Sequence, residues 1–152
     1  MAKDCKAFMA ENAIKTVNQE YVASKRFVGA DGKPIPWELR VVSNKEIEEI
    51  NKSCKKKEFI PKTRDYKIVT DTERFNCSLV CASVVYPDLN NAELQDSYGA
   101  CGAEDLVKVM LTPGEYTDLV SAVSEVCGFQ THMSEKIKAA NNCLKETIHG
   151  QI

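Results

Sequence analysis

Hydrophobic and polar positions change period along this chain, and each change marks a different element. From Thr16 to Val28, polar residues mix with Val17, Tyr21, Val22 and Phe27, the pattern of a half-buried strand. A turn cluster follows around Asp31-Gly32, a pair that readily takes positive φ. Beyond it Ile35, Trp37, Leu39 and Val41 alternate with Pro36, Glu38, Arg40 and Val42, a period of two. These runs predict one antiparallel β-hairpin over residues 16–43, preceded by a short helix within residues 1–14 that carries Phe8, Met9 and Ile14.

After residue 43 the period becomes helical. Ser43 and Glu46 have the spacing of a capping box, and Ile47, Ile50 and Cys54 follow on one face. This helix is expected over residues 44–57, its end solvated by Lys55, Lys56 and Lys57. Residues 58–69 are the least patterned: Pro61 blocks a simple helix, and Tyr66, Ile68 and Val69 suit a short strand or an ordered loop. A helical bundle is then expected over residues 70–148. Its first helix starts at Thr70–Glu73, runs to Pro87, and presents Phe75, Leu79, Ala82 and Tyr86 as a central core face widened by Val80, Val84 and Val85. The next is bracketed by Asn90 and Glu93, faces Leu94 and Tyr98 inward, and ends at Gly99. Two more carry Leu106, Val109 and Met110, and then Tyr116, Leu119, Val120, Val123 and Val126 behind a strong Thr112-Pro113-Gly114-Glu115 start. Met133, Ile137, Ala140 and Leu144 recur at 4-3-4 spacing in a last docked helix. The fold class read from this order is α+β, predominantly α-helical, in a single domain over residues 1–152.

Composition narrows the function more than the fold. A formal net charge of −2 gives no general reason to seek nucleic acid, and no apolar run approaches the ~20 residues that span a bilayer. The first residues lack the apolar stretch of a secretory signal, so a cytoplasmic location is expected. Seven widely spaced cysteines do not suggest a disulfide framework. Cys77 and Cys81 lie one helical turn apart, yet there is no CxxC and no ligand-like histidine spacing, so packed thiols are expected and no metal.

Catalytic groupings are equally hard to find. The two histidines, His132 and His149, both fall in the C-terminal quarter, away from a nucleophile they could activate. Glu93 and Asp96 stand three apart on a helix, but both suit a solvated or partner-facing acidic surface better than a catalytic dyad. The glycines form no phosphate-cradling loop, and Trp37 reads as core before it reads as a ligand platform. No cofactor is implied. A small domain of this kind works through its surfaces.

One long phrase is more specific than any of this. Residues 82–129, ASVVYPDLNNAELQDSYGACGAEDLVKVMLTPGEYTDLVSAVSEVCGF, together with DCKAFMAENA and GADGKPIPWELRVVSNKEIEEINKSCKK upstream, resemble the XkdN-like phage tail assembly chaperones. Such proteins serve contractile-tailed phages, prophages and phage-tail-like particles. The resemblance implies a non-enzymatic chaperone that binds the tape measure protein and keeps it soluble until the tail tube polymerises. It places that work in the bacterial host cytoplasm and leaves the chaperone out of the mature particle. It also brings in as partners the tail tube protein, a longer frameshifted form of the chain, and a further copy of the chain itself. Nucleic acid and membrane are not among the partners. The competing reading is a minor structural component of the tail. Within the phrase, Tyr86, Asp88, Leu89, Glu93, Asp96 and Tyr98 are the candidate partner-binding residues, with the Met133–Leu144 helix as a second surface. The plainer alternative is that Pro87 and Gly99 set turns and that Leu94 and Tyr98 are core.

Overall fold

The computed structural model describes residues 3–129. The expected helix from Met133 to Leu144, and with it the end of the bundle, lies outside them. Among the described residues the fold is α+β, with five α-helices and two small antiparallel sheets.

At the N-terminus the expected helix reduces to one 3-10 turn, Lys6–Phe8, with Phe8 and Ile14 exposed. Without an apolar face to bury, so short a segment cannot offset the cost of nucleating a helix. The hairpin is present but short. Strand β1 (Gln19–Tyr21) pairs with β2 (Trp37–Leu39) in the register Tyr21↔Trp37 and Gln19↔Leu39. Its tip is tight, with Val28 bridged to Pro34 and Gly32 at φ 75°. Between them residues 22–26 leave the ladder, which buries Ala23 and Ser24 and swings Arg26 outward. The Arg26 guanidinium then donates to the Met110 carbonyl (2.6 Å) and the Glu115 carboxylate (3.1 Å). Alternation also stops at Leu39, so that Val42, not Val41, is buried.

Helix α1 (Asn44–Ser53) begins at the expected capping box. Glu46 also accepts two hydrogen bonds from Arg40, at 3.0 and 2.9 Å. Arg40 first, and the Ser43 N–H after it, hold the Glu46 carboxyl down at about 2. The helix stops at Cys54 instead of fading through the lysines. Lys55–Ile60 forms β3 and Asp65–Thr70 forms β4, a second hairpin with six paired positions. Phe59, Ile60, Tyr66, Ile68 and Val69 outweigh the helical bias of the lysines, and Pro61 with Arg64 at φ 51° forms the turn. The lysines are solvated, but on a strand.

Helix α2 (Thr72–Ser83) is central, packing on α1 and on the two later helices α4 (Ala103–Met110) and α5 (Pro113–Val126). It ends four residues before Pro87. Val84–Tyr86 becomes strand β5, which joins the free edge of β2 to give the order β1-β2-β5. Two β-branched residues followed by a residue that must precede proline disfavour helix there, and the open edge of β2 supplies a ladder. Ser83 locks the junction: its hydroxyl donates to the Arg40 carbonyl (2.7 Å) and its carbonyl accepts from the Arg40 N–H (2.8 Å). Helix α3 (Ala92–Tyr98) is capped by Asn91, one residue later than its bracket at Asn90, and ends at Gly99 with φ 64°. In α4 the buried face is Leu106, Val107 and Met110, leaving Val109 outside. Thr112, Pro113 and Glu115 start α5 as their spacing predicts.

One apolar cluster results, in which Trp37 and Leu39 of β2 meet Leu79 and Val80 of α2, Leu106 and Val107 of α4, and Leu119 and Val123 of α5. Cys77 is buried in it, and Cys81 and Cys127 pack against it as small apolar groups. Leu119→Ala should cost about 2–5 kcal/mol in urea unfolding followed by Trp37 fluorescence. Glu46→Gln tests the Arg40 pair. Because the folded carboxyl titrates below its unfolded value, its contribution is complete above about pH 5 and is lost as pH falls toward 2. Glutamine keeps the capping-box geometry, so unfolding midpoints measured from about pH 7 to pH 2 should fall less steeply in the variant than in the parent.

Candidate functional site

The loop that leaves β5 builds the most distinctive surface. Tyr86 is 52% exposed, and the Tyr86–Pro87 peptide is cis. Asp88 then folds the chain into α3: its carboxylate accepts from the Asn90 N–H (3.0 Å) and its carbonyl from the Asn91 N–H (3.1 Å). Asn91 in turn accepts from the Leu94 N–H (3.0 Å), so turn and helix start form one hydrogen-bonded unit.

A cleft of about 490 Å³ lies over this unit, with Tyr86, Pro87 and Leu94 as its apolar wall and Asp88, Glu93 and Ser97 toward its rim. Behind the same three residues is a smaller and drier pocket of about 150 Å³, completed by Phe27, Ile35, Trp37 and Met110. Tyr86, Pro87 and Leu94 therefore belong to both, and the two adjoin along that shared wall, a groove beside α3 and a pocket reaching the first hairpin. The groove exists because β5 pairs with β2, which sets Tyr86 and Pro87 beside the hairpin residues.

Of the six candidates, Asp88, Glu93 and Asp96 are exposed on the acidic side, Tyr86 is half-exposed, and Tyr98 lies at the outer end of α3. Leu89 does not belong with them. It is 2% exposed and sits in the core, with its carbonyl held by the Gln95 side-chain amide (2.8 Å). A leucine after a tight turn has an apolar side chain to bury, and the turn directs it inward. Leu94 is half-buried in the groove wall. Phe27, Ile35 and Met110 were not singled out from the sequence as site residues. The alternation of Ile35 with Trp37 carried a hint of the shared face, but nothing local showed that Tyr86 would come to lie against it.

A separate cleft of about 300 Å³ opens between α2 and the α4–α5 corner, lined by Glu73, Asn76, Lys108 and Tyr116. Two thiols of α2, Cys77 and Cys81, interact beside its Tyr116, and the Cys77 thiol is pushed below its ordinary pKa, by Cys81 first. Its hydrogen bond to Cys77, and then burial, push the Cys81 thiol up, and burial first pushes up the Tyr116 hydroxyl. Among the described residues no group of three or more His, Cys, Asp or Glu is placed to hold a metal ion. None of their helices is long and apolar enough to cross a membrane.

The profile of the phage XkdN-like tail assembly chaperone proteins matches residues 5–141. The chain belongs to that family. Among similar relatives of this chaperone family member is the phage-like element PBSX protein XkdN of Bacillus subtilis (strain 168). It is 26% identical over 140 residues, which span 91% of this chain and 94% of the relative. The protein YqbN of the same organism is also 26% identical over 140 residues, spanning 91% and 93% of the two chains. The crystal structure of YqbN superposes with a TM-score of 0.71 at 25% identity, covering 86% of this chain and all of the other. This chain and YqbN therefore share a fold while only a quarter of their aligned residues are identical.

Gln95→Ala removes the donor that holds the Leu89 carbonyl beneath the groove. About 1–2 kcal/mol of stability should be lost, and hydrogen exchange at Asn90–Leu94 should accelerate more than in α5.

Proposed function

We propose that this family member acts without catalysis during tail assembly, binding the tape measure protein in the Tyr86–Leu94 groove and keeping it soluble until the tail tube polymerises. The observation that carries this reading is the groove itself: an apolar wall of Tyr86, Pro87 and Leu94, backed by a pocket that reaches Phe27 and lined in front by Asp88 and Glu93. An elongated helical protein whose apolar stripe has not yet been enclosed needs such a partner. An amphipathic helix laid in a groove is recognised by apolar anchors a turn apart, with rim charges setting register. The groove is shallow and its rim carboxylates are solvated, which favours modest affinity and easy release as the tube closes. The work would take place in the host cytoplasm, leaving the chaperone out of the finished particle.

Co-expression with the tape measure protein, followed by pull-down and measurement of its soluble fraction, tests the reading. Co-purification with a raised soluble fraction is the expected result. A stoichiometric band in purified tails without that interaction would instead make the chain a minor structural component. Tyr86→Ser should weaken client binding about tenfold or more, since it removes the most exposed aromatic anchor. Asp88→Ala, Glu93→Ala and Asp96→Ala combined should weaken it up to about tenfold, each solvated charge counting for little. Titration calorimetry on the folded variants reads both, and unchanged affinity in both would remove this groove as the client site.

A further inference from the structure

The β3–β4 hairpin is not accounted for by the chaperone groove. Its two strands pair along six positions, and among the described residues they make no extensive contact with any other element. It is tied at its base, where the Asp71 N–H donates to the Cys54 carbonyl (2.7 Å) and the Thr70 hydroxyl to Asn51 (3.3 Å). The register puts Phe59 opposite Tyr66 and Lys57 opposite Ile68, all on one face. Phe59, Tyr66 and Ile68 are 51%, 63% and 70% exposed, and the two rings pack at 5.4 Å between centroids. A two-stranded hairpin without a covered face is marginal in water. Lysines along free strand edges guard against stray pairing, but that does not explain three large apolar side chains on one open face.

Charge indicates what covers it. From Lys55 to Thr70 the hairpin carries six basic residues against Glu58 and Asp65, a net charge of +4. The whole chain has a formal net charge of −2, so the remainder carries −6. On that remainder, the Tyr86–Leu94 groove combines an apolar wall with exposed Asp88 and Glu93, and Asp96 is exposed on the same helix as Glu93. An apolar stripe flanked by Lys55 and Lys57 and an apolar groove rimmed by carboxylates are complementary.

We infer that the β3–β4 hairpin of one copy docks in the Tyr86–Leu94 groove of a second copy of this chain, so that the protein self-associates through a basic, aromatic arm. Phe59 and Tyr66 enter against Tyr86, Pro87 and Leu94, while Lys55 and Lys57 meet the rim carboxylates. Two copies that exchange arms close as a symmetric pair. Two or four aromatic anchors on a surface this small make a weak complex, of roughly micromolar Kd, with a strong dependence on salt. Self-association and any client in that groove are then mutually exclusive.

Sedimentation velocity of the full chain alone, over a range of concentrations, tests this independently of any tape measure protein. The expected result is a concentration-dependent dimer, weakened about tenfold or more between about 0.05 M and about 0.5 M salt. Lys55→Glu with Lys57→Glu should abolish it, as should Asp88→Lys with Glu93→Lys, and mixing the two folded variants should restore a heterodimer. A photo-crosslinking residue in place of Tyr66 should join the hairpin to residues 86–97 of another copy, which keeps the test open if a charge variant fails to fold. A monomer at every concentration, association indifferent to the hairpin charges, or crosslinks elsewhere would overturn the inference. So would a hairpin that shifts an oligonucleotide probe while the chain alone stays monomeric.

Discussion

The reciprocal pair between Arg40 and Ser83 is the constraint on which the rest of the structure depends. Two short hydrogen bonds hold the end of α2 against the end of β2, and the chain must leave α2 as a strand. That strand gives β2 its second neighbour and brings Tyr86 and Pro87 beside the first hairpin. Arg40 meanwhile grips Glu46 with its side chain, so one residue ties the sheet, α1 and α2 together. The groove is a consequence of this junction, because neither of its walls would face the other without β5 in place.

A second strap works from the opposite side. Arg26, swung out where β1 leaves its ladder, meets the last carbonyl of α4 and the carboxylate that caps α5. A cation suits a helix C-terminus, whose carbonyls lack intrahelical donors. The Ser24 hydroxyl and the Thr112 N–H, with Arg26 beside them, hold the Glu115 carboxyl at about 2, so the strap stays charged at neutral pH. These solvated charges contribute more to geometry than to stability. They tie the hairpin to the α4–α5 corner, beside the pocket that Phe27 and Met110 both line.

Assembly chaperones must hold a client and then surrender it. A deep, dry, enclosed site would hold too well, whereas a shallow groove with solvated carboxylates offers release without a chemical step. Segregated charge would serve the same end under the proposed self-association: with the positive arm on one element and the negative rim on another, contacts between copies would be steered over distance and weak once formed. This chain and YqbN share a fold at 25% identity.

Elements with strong local signals were legible from the residues alone. The capping boxes at Ser43–Glu46 and Thr112–Glu115, the αL position at Gly99 and the pairing of residues near Tyr21 with Trp37 depend on neighbours close in sequence. The resemblance carried by residues 82–129 identified the family that the profile match establishes. Other features were settled only by tertiary contact. Val84–Tyr86 is apolar at a spacing that suits helix or strand, and the open edge of β2 chose strand. Lys55–Lys57 suits a helix end as well as a strand, and pairing with Ile68–Thr70 chose strand. Leu89 lay within a surface phrase and went to the core, because a turn held by Asp88 and Gln95 points it there. Local sequence determined where helices start and stop, since capping is a matter of three or four residues. Which residues face one another across the groove and along the second hairpin was decided by the tertiary structure, since strand pairing joins segments whose separation along the chain no local pattern records.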